Sequence, residues 1–257
     1  FMQCDIDILG DPTFLAEIDV ILATSTLVGK LDFDSFTIRI NDRRILKAMA
    51  AYSGFPEDSF TQVFIILDKM DKIGMDGVAK ELEESGFAKE SVEKYMDLFK
   101  AMGNGIDGVA YCKEKLEGFL DAKVADDLTT IIESVMQAKT ANFNLEFDPT
   151  LVRGMSYYTG PIFEISIDGF AGSVGGGGRY DEMIGKFTGT PTPATGFSIG
   201  FERIVMLLME RGFQVPGAKE KKVYMLDKKL SNEKLLEVMK KAAEERSAGQ
   251  SVNIAYA

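Results

Sequence analysis

The sequence predicts an α+β protein, and three contrasting stretches of pattern lead to that prediction. Residues 1–47 read as strand, helix and strand, followed by the start of a second helix. Residues 48–139 carry apolar side chains at helical spacing almost throughout, and after residue 142 the alternation typical of strands returns. We therefore expect a sheet domain that is interrupted by a helical insertion.

The first stretch begins inside an alternating strand pattern, and its polar side chains fall on one face: Gln3, Asp5 and Asp7. Gly10 ends this strand, a helix follows over residues 14–28, and a second strand covers residues 35–41. Asn41 or Asp42 then caps the next helix. Because the first residues and the last, "QSVNIAYA", both lie within strand-like runs, we interpret the chain as an internal portion of a longer protein.

The helical stretch is recognised from segments with apolar residues at i, i+3 and i+4: "FTQVFIILDKMDK", "GVAKELEESGF", "ESVEKYMDLFKAM" and "VADDLTTIIESVMQA". Glycine and asparagine separate these segments. We interpret their methionine and phenylalanine stripes as core packing rather than as a cofactor site.

The second β stretch starts at "NFNLEFD" and continues with a strand over residues 158–165. A glycine-rich turn at residues 168–172 predicts a hairpin, and its second strand leads into four glycines at 175–178. A strongly apolar helix then carries Arg203 in its first turn.

The last stretch follows a linker at residues 213–222 and has the pattern of a β-α-β unit. Its helix covers residues 231–246 and is capped by Ser231 or Asn232. We expect this unit to belong to a separate domain.

Composition narrows the class of protein. At 257 residues and 46% hydrophobic content the chain is long enough for a sizeable core, and no apolar run approaches the roughly 18 residues of a membrane span. The net charge of −11 argues against broad electrostatic coating of nucleic acid. The chain has no histidine, which removes His-based zinc sites and an imidazole base. Cys4 and Cys112 lack metal spacing and fit a reducing compartment without a disulfide.

Three arginines follow glycine-rich or turn-prone backbone: Arg153, Arg179 and Arg203. Glycines let the backbone approach a ligand and present N–H groups to an anion, and an arginine at a helix start adds the helix dipole and a guanidinium fork. This pattern predicts a polyphosphate site. A flexible glycine loop at 175–178 and a structural Arg179 that pairs with a carboxylate are the alternatives. The sequence contains neither a P-loop nor a Rossmann motif.

Five motifs in this order resemble histidyl-tRNA synthetases, a family of class II aminoacyl-tRNA synthetases: "QCDIDILGD", "RINDRRIL", "LVRGMSYYTGPIFE", "GGGRYDEMIG" and "TGFSIGFERIV". The resemblance covers nearly the whole chain. The family's histidine signature, arginine-glycine-x-x-tyrosine-tyrosine, is present as Arg153, Gly154, Met155, Ser156, Tyr157 and Tyr158. Ser156 departs from the family, which usually has aspartate there.

The resemblance implies a class II synthetase-like antiparallel sheet with helices. It divides the chain into a first catalytic part (1–47), a helical insertion domain (48–139), a second catalytic part with the histidine signature and motif 3 (140–213), and the start of an α/β anticodon-binding domain (222–257). Motif 1, which forms the dimer in this family, and the motif 2 arginine would precede Phe1. The chain is therefore not expected to aminoacylate by itself.

The activity implied by the resemblance is a histidine–tRNA ligase reaction. L-histidine is activated with ATP to histidyl-adenylate, and the histidyl group is transferred to the 3′ end of tRNA(His). The implied enzyme is a cytoplasmic homodimer that uses Mg²⁺ with its ATP and has no membrane partner and no metal held by the protein.

The resemblance also assigns roles to individual residues. Arg153 is the catalytic residue that stabilises charge on the α-phosphate. Arg203 of motif 3 and Gly200 bind ATP. Histidine is bound by Gln3 at the α-amino group, by Asp7 and Tyr158 at the imidazole, and by Tyr157 along the pocket wall. The pocket floor consists of Gly175, Gly176, Gly177 and Gly178.

Two other functions remain alternatives at this point. One is the regulatory subunit of ATP phosphoribosyltransferase, a synthetase paralogue that has lost aminoacylation. The intact Arg153, Tyr157 and Tyr158 and the presence of residues 222–257 favour the enzyme over it. The other is a non-enzymatic tRNA-binding module, which the acidic balance of the chain fits poorly.

Overall fold

A computed structural model describes residues 2–33, 35–153, 157–170, 172–214 and 221–257. The chain divides into two units, Phe1–Val205 and Met206–Ala257, and each is described by itself. Within the described residues, no helix is both long enough and apolar enough to cross a membrane.

The unit Phe1–Val205 is built on six strands: β1 Cys4–Leu9, β2 Phe36–Asp42, β3 Asn144–Phe147, β4 Pro161–Ile167, β5 Ser173–Arg179 and β6 Ala194–Ile199. They form one sheet in the order β1-β6-β5-β4-β2-β3. Neighbouring strands are antiparallel, as predicted, except that β3 pairs in parallel with β2. The long helical stretch between β2 and β3 provides the crossover that this parallel pair requires.

Helices account for the remaining regular structure of this part: α1 Leu15–Gly29, α2 Arg43–Ser53, α3 Phe60–Leu67, α4 Met70–Glu84, α5 Lys89–Ala101, α6 Ile106–Lys115, α7 Ala122–Ala138, α8 Asp181–Thr188 and α9 Phe201–Glu210. The predicted helical character of residues 48–139 is confirmed. Its predicted boundary at 47/48 lies inside α2, which continues without interruption from the end of β2. Helices α1 and α7 pack against the sheet.

The start of α2 decides between the two predicted caps. The Asp42 side chain accepts a hydrogen bond from the backbone N–H of Arg44 at 2.8 Å, so Asp42 is the N-cap. Buried Asn41 instead donates from Nδ2 to the carbonyl oxygens of Pro149 and Leu151, at 3.2 and 3.1 Å. Asn41 thereby anchors the loop that leads to Arg153.

Strand β4 begins later than the sequence pattern predicts. The prediction of a strand over 158–165 is wrong at its start, because β4 covers Pro161–Ile167. Before it, the N–H of Thr159 donates to the Arg179 carbonyl at 2.8 Å, and the carbonyl of Gly160 accepts from the Arg43 N–H at 3.0 Å. Tyr158 therefore belongs to a loop held by the ends of β5 and α2, which leaves its ring outside the strand alternation.

The predicted hairpin at 168–172 joins β4 to β5, and Gly169 and Gly172 adopt the positive φ values, 82° and 106°, that such a turn requires. The four glycines at 175–178 lie inside β5 and are buried. The alternative of a flexible glycine loop is therefore wrong, because every one of these glycines has a residue partner on both neighbouring strands.

Close packing between strands explains one of these glycines. Gly177 lies between Phe163 of β4 and Phe197 of β6 in the register of the sheet, and the two buried rings stack with centroids 5.3 Å apart. A Cβ at position 177 would overlap the Gly196 carbonyl oxygen of β6, so a side chain has no space there.

The unit Met206–Ala257 contains β7 Lys221–Leu226, α10 Asn232–Ser247 and β8 Ser251–Tyr256. The two strands are parallel, so the predicted β-α-β pattern is confirmed. Ser231 is the N-cap of α10, where its side chain accepts from the Lys234 N–H at 3.4 Å.

Cys4 and Cys112 are both free thiols, as predicted, and burial raises the pKa of the Cys112 thiol to about 12.

Candidate active site

A cavity of about 480 Å³ opens on one face of the six-stranded sheet. Strands β1, β5 and β6, the loop before β4 and the first turn of α9 supply its lining. All of the residues that the family resemblance assigns to the site, except Gly178, are among the lining residues. The volume is within the range of small-molecule sites in proteins.

The sheet register brings residues that are distant in sequence into one row. Asp5 of β1 is opposite Ser198 of β6, Ser198 is opposite Gly176 of β5, and Gly176 is opposite Glu164 of β4. Because side chains alternate along a strand, the first three residues of this row line the cavity, together with Asp7 of β1 and with Gln3 just before β1. The predicted polar face of β1 is therefore the face that lines the cavity.

Asp7 is fixed from two directions. The hydroxyl of Tyr180 donates a hydrogen bond to Asp7 Oδ1. Gly196, the residue opposite Asp7 on β6, leaves the space that the carboxylate occupies, because a Cβ at this position would lie 2.8 Å from Asp7 Cγ. Asp7 Oδ2 has no hydrogen-bond donor among the described residues and is available to a ligand.

Three tyrosines form an aromatic wall beside Asp7. The rings of Tyr157 and Tyr158 have centroids 4.5 Å apart, and Tyr157 meets Tyr180 edge-on at 6.0 Å. The hydroxyl of Tyr157 donates to that of Tyr158 at 3.4 Å. Burial and then this hydrogen bond raise the pKa of Tyr157, and burial and the bond to Asp7 raise the pKa of Tyr180. The phenols of Tyr157 and Tyr180 are therefore neutral near pH 7 and serve as hydrogen-bonding groups rather than as charges.

Arg153 lies across β5. Its Nη1 donates to Glu164 Oε2 at 2.8 Å, and its guanidinium is stacked over Gly176, where a Cβ would lie 2.6 Å from Cζ. The side chain is one-fifth exposed, with its free edge toward the cavity. Residues 154–156 of the signature, including the departure at Ser156, lie outside the described residues.

Gly178 is displaced from the cavity surface by Tyr158. A Cβ at position 178 would lie 3.0 Å from Tyr158 Cδ1, so the tyrosine ring covers this glycine. The predicted floor of four glycines is therefore exposed to the cavity at Gly175, Gly176 and Gly177, and at Gly178 it supports the ring.

Arg203 and Gly200 line the cavity where β6 passes into α9. Arg203 donates from Nη1 to the Ser173 carbonyl, and the side chain is otherwise exposed. The Gly200 N–H donates to the Val174 carbonyl at 2.8 Å, which ties the start of the helix to β5. Arg203 and Arg153 thus flank the cavity with two guanidinium groups.

Arg179 faces away from the cavity. It is three residues from Gly176 along β5 and therefore points to the other side of the sheet. Its Nε and Nη2 donate to the two oxygens of buried Glu17 of α1, at 2.5 and 2.7 Å, and Nη1 donates to Asp181 Oδ1 at 3.1 Å. The prediction that three arginines share one anion site is wrong for Arg179, and the alternative, a structural arginine paired with a carboxylate, is confirmed.

Sequence reasoning did not assign several lining residues: Asp5, Tyr180, Met183 and Ser198. Asp5 was within reach, since it shares the predicted polar face of β1. The others depend on strand register. Ser198 accepts a 2.9 Å hydrogen bond from Gln3 Nε2, and no local pattern pairs two residues so far apart in the sequence.

The sheet, its cavity and the two arginines at its rim define a class II aminoacyl-tRNA synthetase-like catalytic fold. The crystal structure of histidyl-tRNA synthetase from Nostoc sp. PCC 7120 shares it, with a TM-score of 0.73 and 26% identity over 98% of this chain and 60% of that chain. The family model described as Histidyl-tRNA synthetase matches residues 1–204. The chain belongs to the histidyl-tRNA synthetase family.

Curated relatives carry the same family name. The histidine–tRNA ligase of Leifsonia xyli subsp. xyli (strain CTCB07) is 45% identical over 213 residues, which are 81% of this chain and 49% of that protein. The probable histidine–tRNA ligase of Tropheryma whipplei (strain Twist) is 42% identical over 221 residues, covering 82% and 50%. The chain therefore spans about half the length of the curated relatives it matches.

One structural neighbour has a double description. An ATP phosphoribosyltransferase regulatory subunit/histidyl-tRNA synthetase from Bacillus halodurans C has a TM-score of 0.63 and 22% identity over 99% of this chain and 62% of that chain. At this identity the likeness shows a shared fold and does not separate a ligase from a regulatory subunit.

Proposed function

We propose that the whole protein is a histidine–tRNA ligase and that this chain supplies most of its amino-acid site. The observation that carries the proposal is one cavity that combines a carboxylate fixed by a tyrosine, Asp7 with Tyr180, and a guanidinium fixed over a glycine, Arg153 over Gly176. The first group suits a neutral imidazole N–H, and the second suits an anion.

In the proposed first step a carboxylate oxygen of histidine attacks the α-phosphorus of ATP. The bond from the α-phosphorus to the bridging oxygen breaks, and pyrophosphate leaves. The attacking group is already ionised at pH 7, so the step needs no general base, which agrees with a chain that has no histidine. In the second step the terminal adenosine hydroxyl of tRNA(His) attacks the acyl carbon, and AMP leaves.

The amino acid is held at both ends. Asp7 Oδ2 accepts from the imidazole N–H, and the Tyr158 hydroxyl bonds the ring's other side. Gln3 donates its amide to Ser198 Oγ at 2.9 Å, which leaves its carbonyl oxygen free to accept from the α-ammonium group. Tyr157 closes the wall of the pocket. A side chain without polar atoms would leave Asp7 unpaired, and a site built on such hydrogen bonds discriminates by about 10⁴ or more.

The nucleotide occupies the arginine-lined part of the cavity. Arg153 stabilises the charge that develops on the α-phosphate, and Arg203 with the Gly200 turn holds ATP. Magnesium that arrives with ATP is held mainly by phosphates and water. No group of three or more His, Cys, Asp or Glu side chains among the described residues is arranged to hold a metal ion, so no step is assigned to one.

The remaining assignments follow from the family. We place residues 48–139 in an insertion domain, residues 222–257 at the start of an anticodon-binding domain, and the catalytic domain in residues 1–47 and 140–213. The whole protein is a cytoplasmic homodimer in this proposal, with tRNA(His) as its macromolecular substrate.

The experiment that tests the proposal is histidine-dependent ATP–pyrophosphate exchange by the whole protein. A ligase exchanges label only when histidine is present. A regulatory subunit of ATP phosphoribosyltransferase would show no exchange, and that result would overturn the proposal. A tRNA-binding module would likewise show none, while retaining salt-sensitive binding of tRNA.

Asp7→Ala and Tyr158→Phe are expected to raise the KM for histidine more than the KM for ATP. Each change removes one partner of the imidazole and strands a buried polar group, at a cost of about 1–3 kcal/mol. Exchange kinetics with each substrate varied in turn measure the split, and Asp97→Ala and Tyr111→Phe, outside the cavity lining, are the matched controls. A raised KM for ATP with an unchanged KM for histidine would contradict the assignment.

Gly196→Ala is expected to act on histidine as strongly as a change of Asp7 itself. The new methyl group would occupy the place of the Asp7 carboxylate, so kcat/KM for histidine should fall about 10- to 100-fold. Gly103→Ala is the control, because a Cβ at Gly103 meets no atom within 4 Å. If Gly196→Ala has the histidine kinetics of the wild type, the Asp7 carboxylate does not need to occupy the space beside position 196.

A further inference from the structure

One cluster of charged side chains beside the cavity has no role in the proposed reaction. It links Arg39 of β2 to three carboxylates: Glu164 of β4 at 2.6 Å, Asp71 of α4 at 3.1 Å and Asp148 at 3.2 Å. Glu164 and Asp148 are largely buried, whereas Asp71 is exposed. Buried charges on a sheet face are costly, so an arrangement of this size next to an active-site arginine calls for a reason.

Glu164 is divided between two arginines. Its Oε1 accepts from Arg39 Nη2 at 2.6 Å, and its Oε2 accepts from Arg153 Nη1 at 2.8 Å. An arginine alone with a carboxylate commonly pairs through both oxygens of the acid. Here Arg39 occupies one oxygen, which limits Arg153 to a single hydrogen bond and leaves the rest of its guanidinium for another anion.

The strand register fixes this geometry. Arg39, Glu164 and Gly176 are directly opposite one another on β2, β4 and β5. Glu164 therefore emerges from the sheet between the arginine that restrains it and the glycine on which Arg153 rests. Gly176 leaves the guanidinium room to lie flat, and Glu164 stops it from moving along the strand.

Arg39 is itself held rigidly. Asp148 Oδ2 accepts a hydrogen bond from Arg39. Asp148 Oδ1 accepts hydrogen bonds from the N–H and the hydroxyl of Thr150, at 2.8 and 2.7 Å. Burial alone would lower the pKa of Arg39, but the hydrogen bond and charge of Glu164 reverse this and raise it, so the cation persists at every physiological pH. The restraint on Glu164 is thus permanent.

We propose that Glu164 is a positioning residue for Arg153, and that Arg39 keeps Glu164 from pairing with Arg153 through both oxygens. The inference rests on the proposed function, in which Arg153 meets the α-phosphate. Glu164 touches no substrate. It acts by aiming the guanidinium, and misplacement of a reacting group by about 1 Å can cost about 100-fold in rate.

The test uses single-turnover adenylate formation by the whole protein. Glu164→Gln removes the charge and one acceptor oxygen, and Arg39→Gln frees Glu164 to pair fully with Arg153. Each is expected to lower the rate constant about 10- to 100-fold with little change in the KM for histidine. Arg39→Lys keeps a charge and a donor and should recover part of the rate. Glu146→Gln, opposite Arg39 on β3 but without a hydrogen bond to it, should match wild type.

A double-variant cycle separates positioning from a general effect on the fold. In an Arg153→Lys background the guanidinium is gone, so Glu164→Gln should reduce the rate by less than threefold further, whereas a purely structural role would give multiplied losses. Additive effects in the cycle, or a wild-type rate in Glu164→Gln, overturn the inference while histidine-dependent exchange by the wild type upholds the ligase. Absence of exchange in the wild type overturns both. If Glu164→Gln unfolds, the Arg39→Gln and Arg39→Lys pair decides.

Discussion

Arg153→Lys is expected to lower the rate of adenylate formation by about 10²- to 10³-fold, the effect of removing one preorganised donor at a site of developing charge. Lysine keeps the positive charge but loses the planar fork, so it cannot donate to Glu164 and face the α-phosphate at the same time. Histidine affinity should change little, because Asp7, Gln3 and the tyrosines are untouched. A loss confined to the chemical step is the signature of a transition-state contact.

Rapid quenching of adenylate formation at saturating histidine and ATP measures this loss. Arg44→Lys is the matched control, since Arg44 pairs with Asp42 at 2.7 Å and is not among the lining residues. An unchanged rate constant in Arg153→Lys would mean that Arg153 is only a structural partner of Glu164 that borders the cavity.

Glu17→Gln is expected to lower the free energy of unfolding by about 3–5 kcal/mol, the cost of breaking a buried ion pair by removal of one partner. Glu17 is fully buried, and Arg179 is nearly so. With glutamine the guanidinium keeps Asp181 and two backbone carbonyls, but one of its two acceptors on residue 17 becomes an amide NH₂ that cannot accept, and the buried cation loses the charge of its partner. Because this pair joins α1 to the end of β5, the loss falls on the sheet that carries the site.

Urea unfolding of the whole protein, followed through the transition of the sheet unit, gives the value. Glu93→Gln is the control, because its i,i+4 partner Lys89 is exposed and such pairs contribute at most about 0.5 kcal/mol. Replacing Glu17 and Arg179 together by neutral residues should cost less than Glu17→Gln alone. A loss below about 1 kcal/mol in the single variant would show that water reaches Arg179 in solution.

Features of the fold and of the candidate site that depend on neighbouring residues could be predicted from the sequence, whereas features that depend on contacts between distant residues could not. The polar face of β1, the cap of α2 and the hairpin after β4 are local patterns, and the sequence predicted them correctly. The four glycines illustrate the limit. Their strand character follows from pairing with β4 and β6, whereas the local sequence points away from it, because glycine is depleted in strands.

The errors at the site have the same origin. Arg153, Arg179 and Arg203 look alike in sequence, each after glycine-rich or turn-prone backbone, but strand alternation turns Arg179 toward Glu17 on the far side of the sheet. Tyr180 and Ser198 reach Asp7 and Gln3 only through long-range register. The family resemblance predicted which residues contact the substrate. The side chains that hold those residues in place become apparent only from the fold.

The glycines beneath the functional side chains make certain positions inseparable. The guanidinium of Arg153 fills the space that a side chain at position 176 would need. The carboxylate of Asp7 likewise fills the space that a side chain at position 196 would need. Neither glycine can be replaced by a larger residue while the neighbouring side chain, Arg153 or Asp7, is present. Neither of these side chains can be shortened without leaving a gap in the cavity wall. Any redesign of this cavity must therefore change residues 7 and 196 as a pair, so that the volume removed at one is restored at the other.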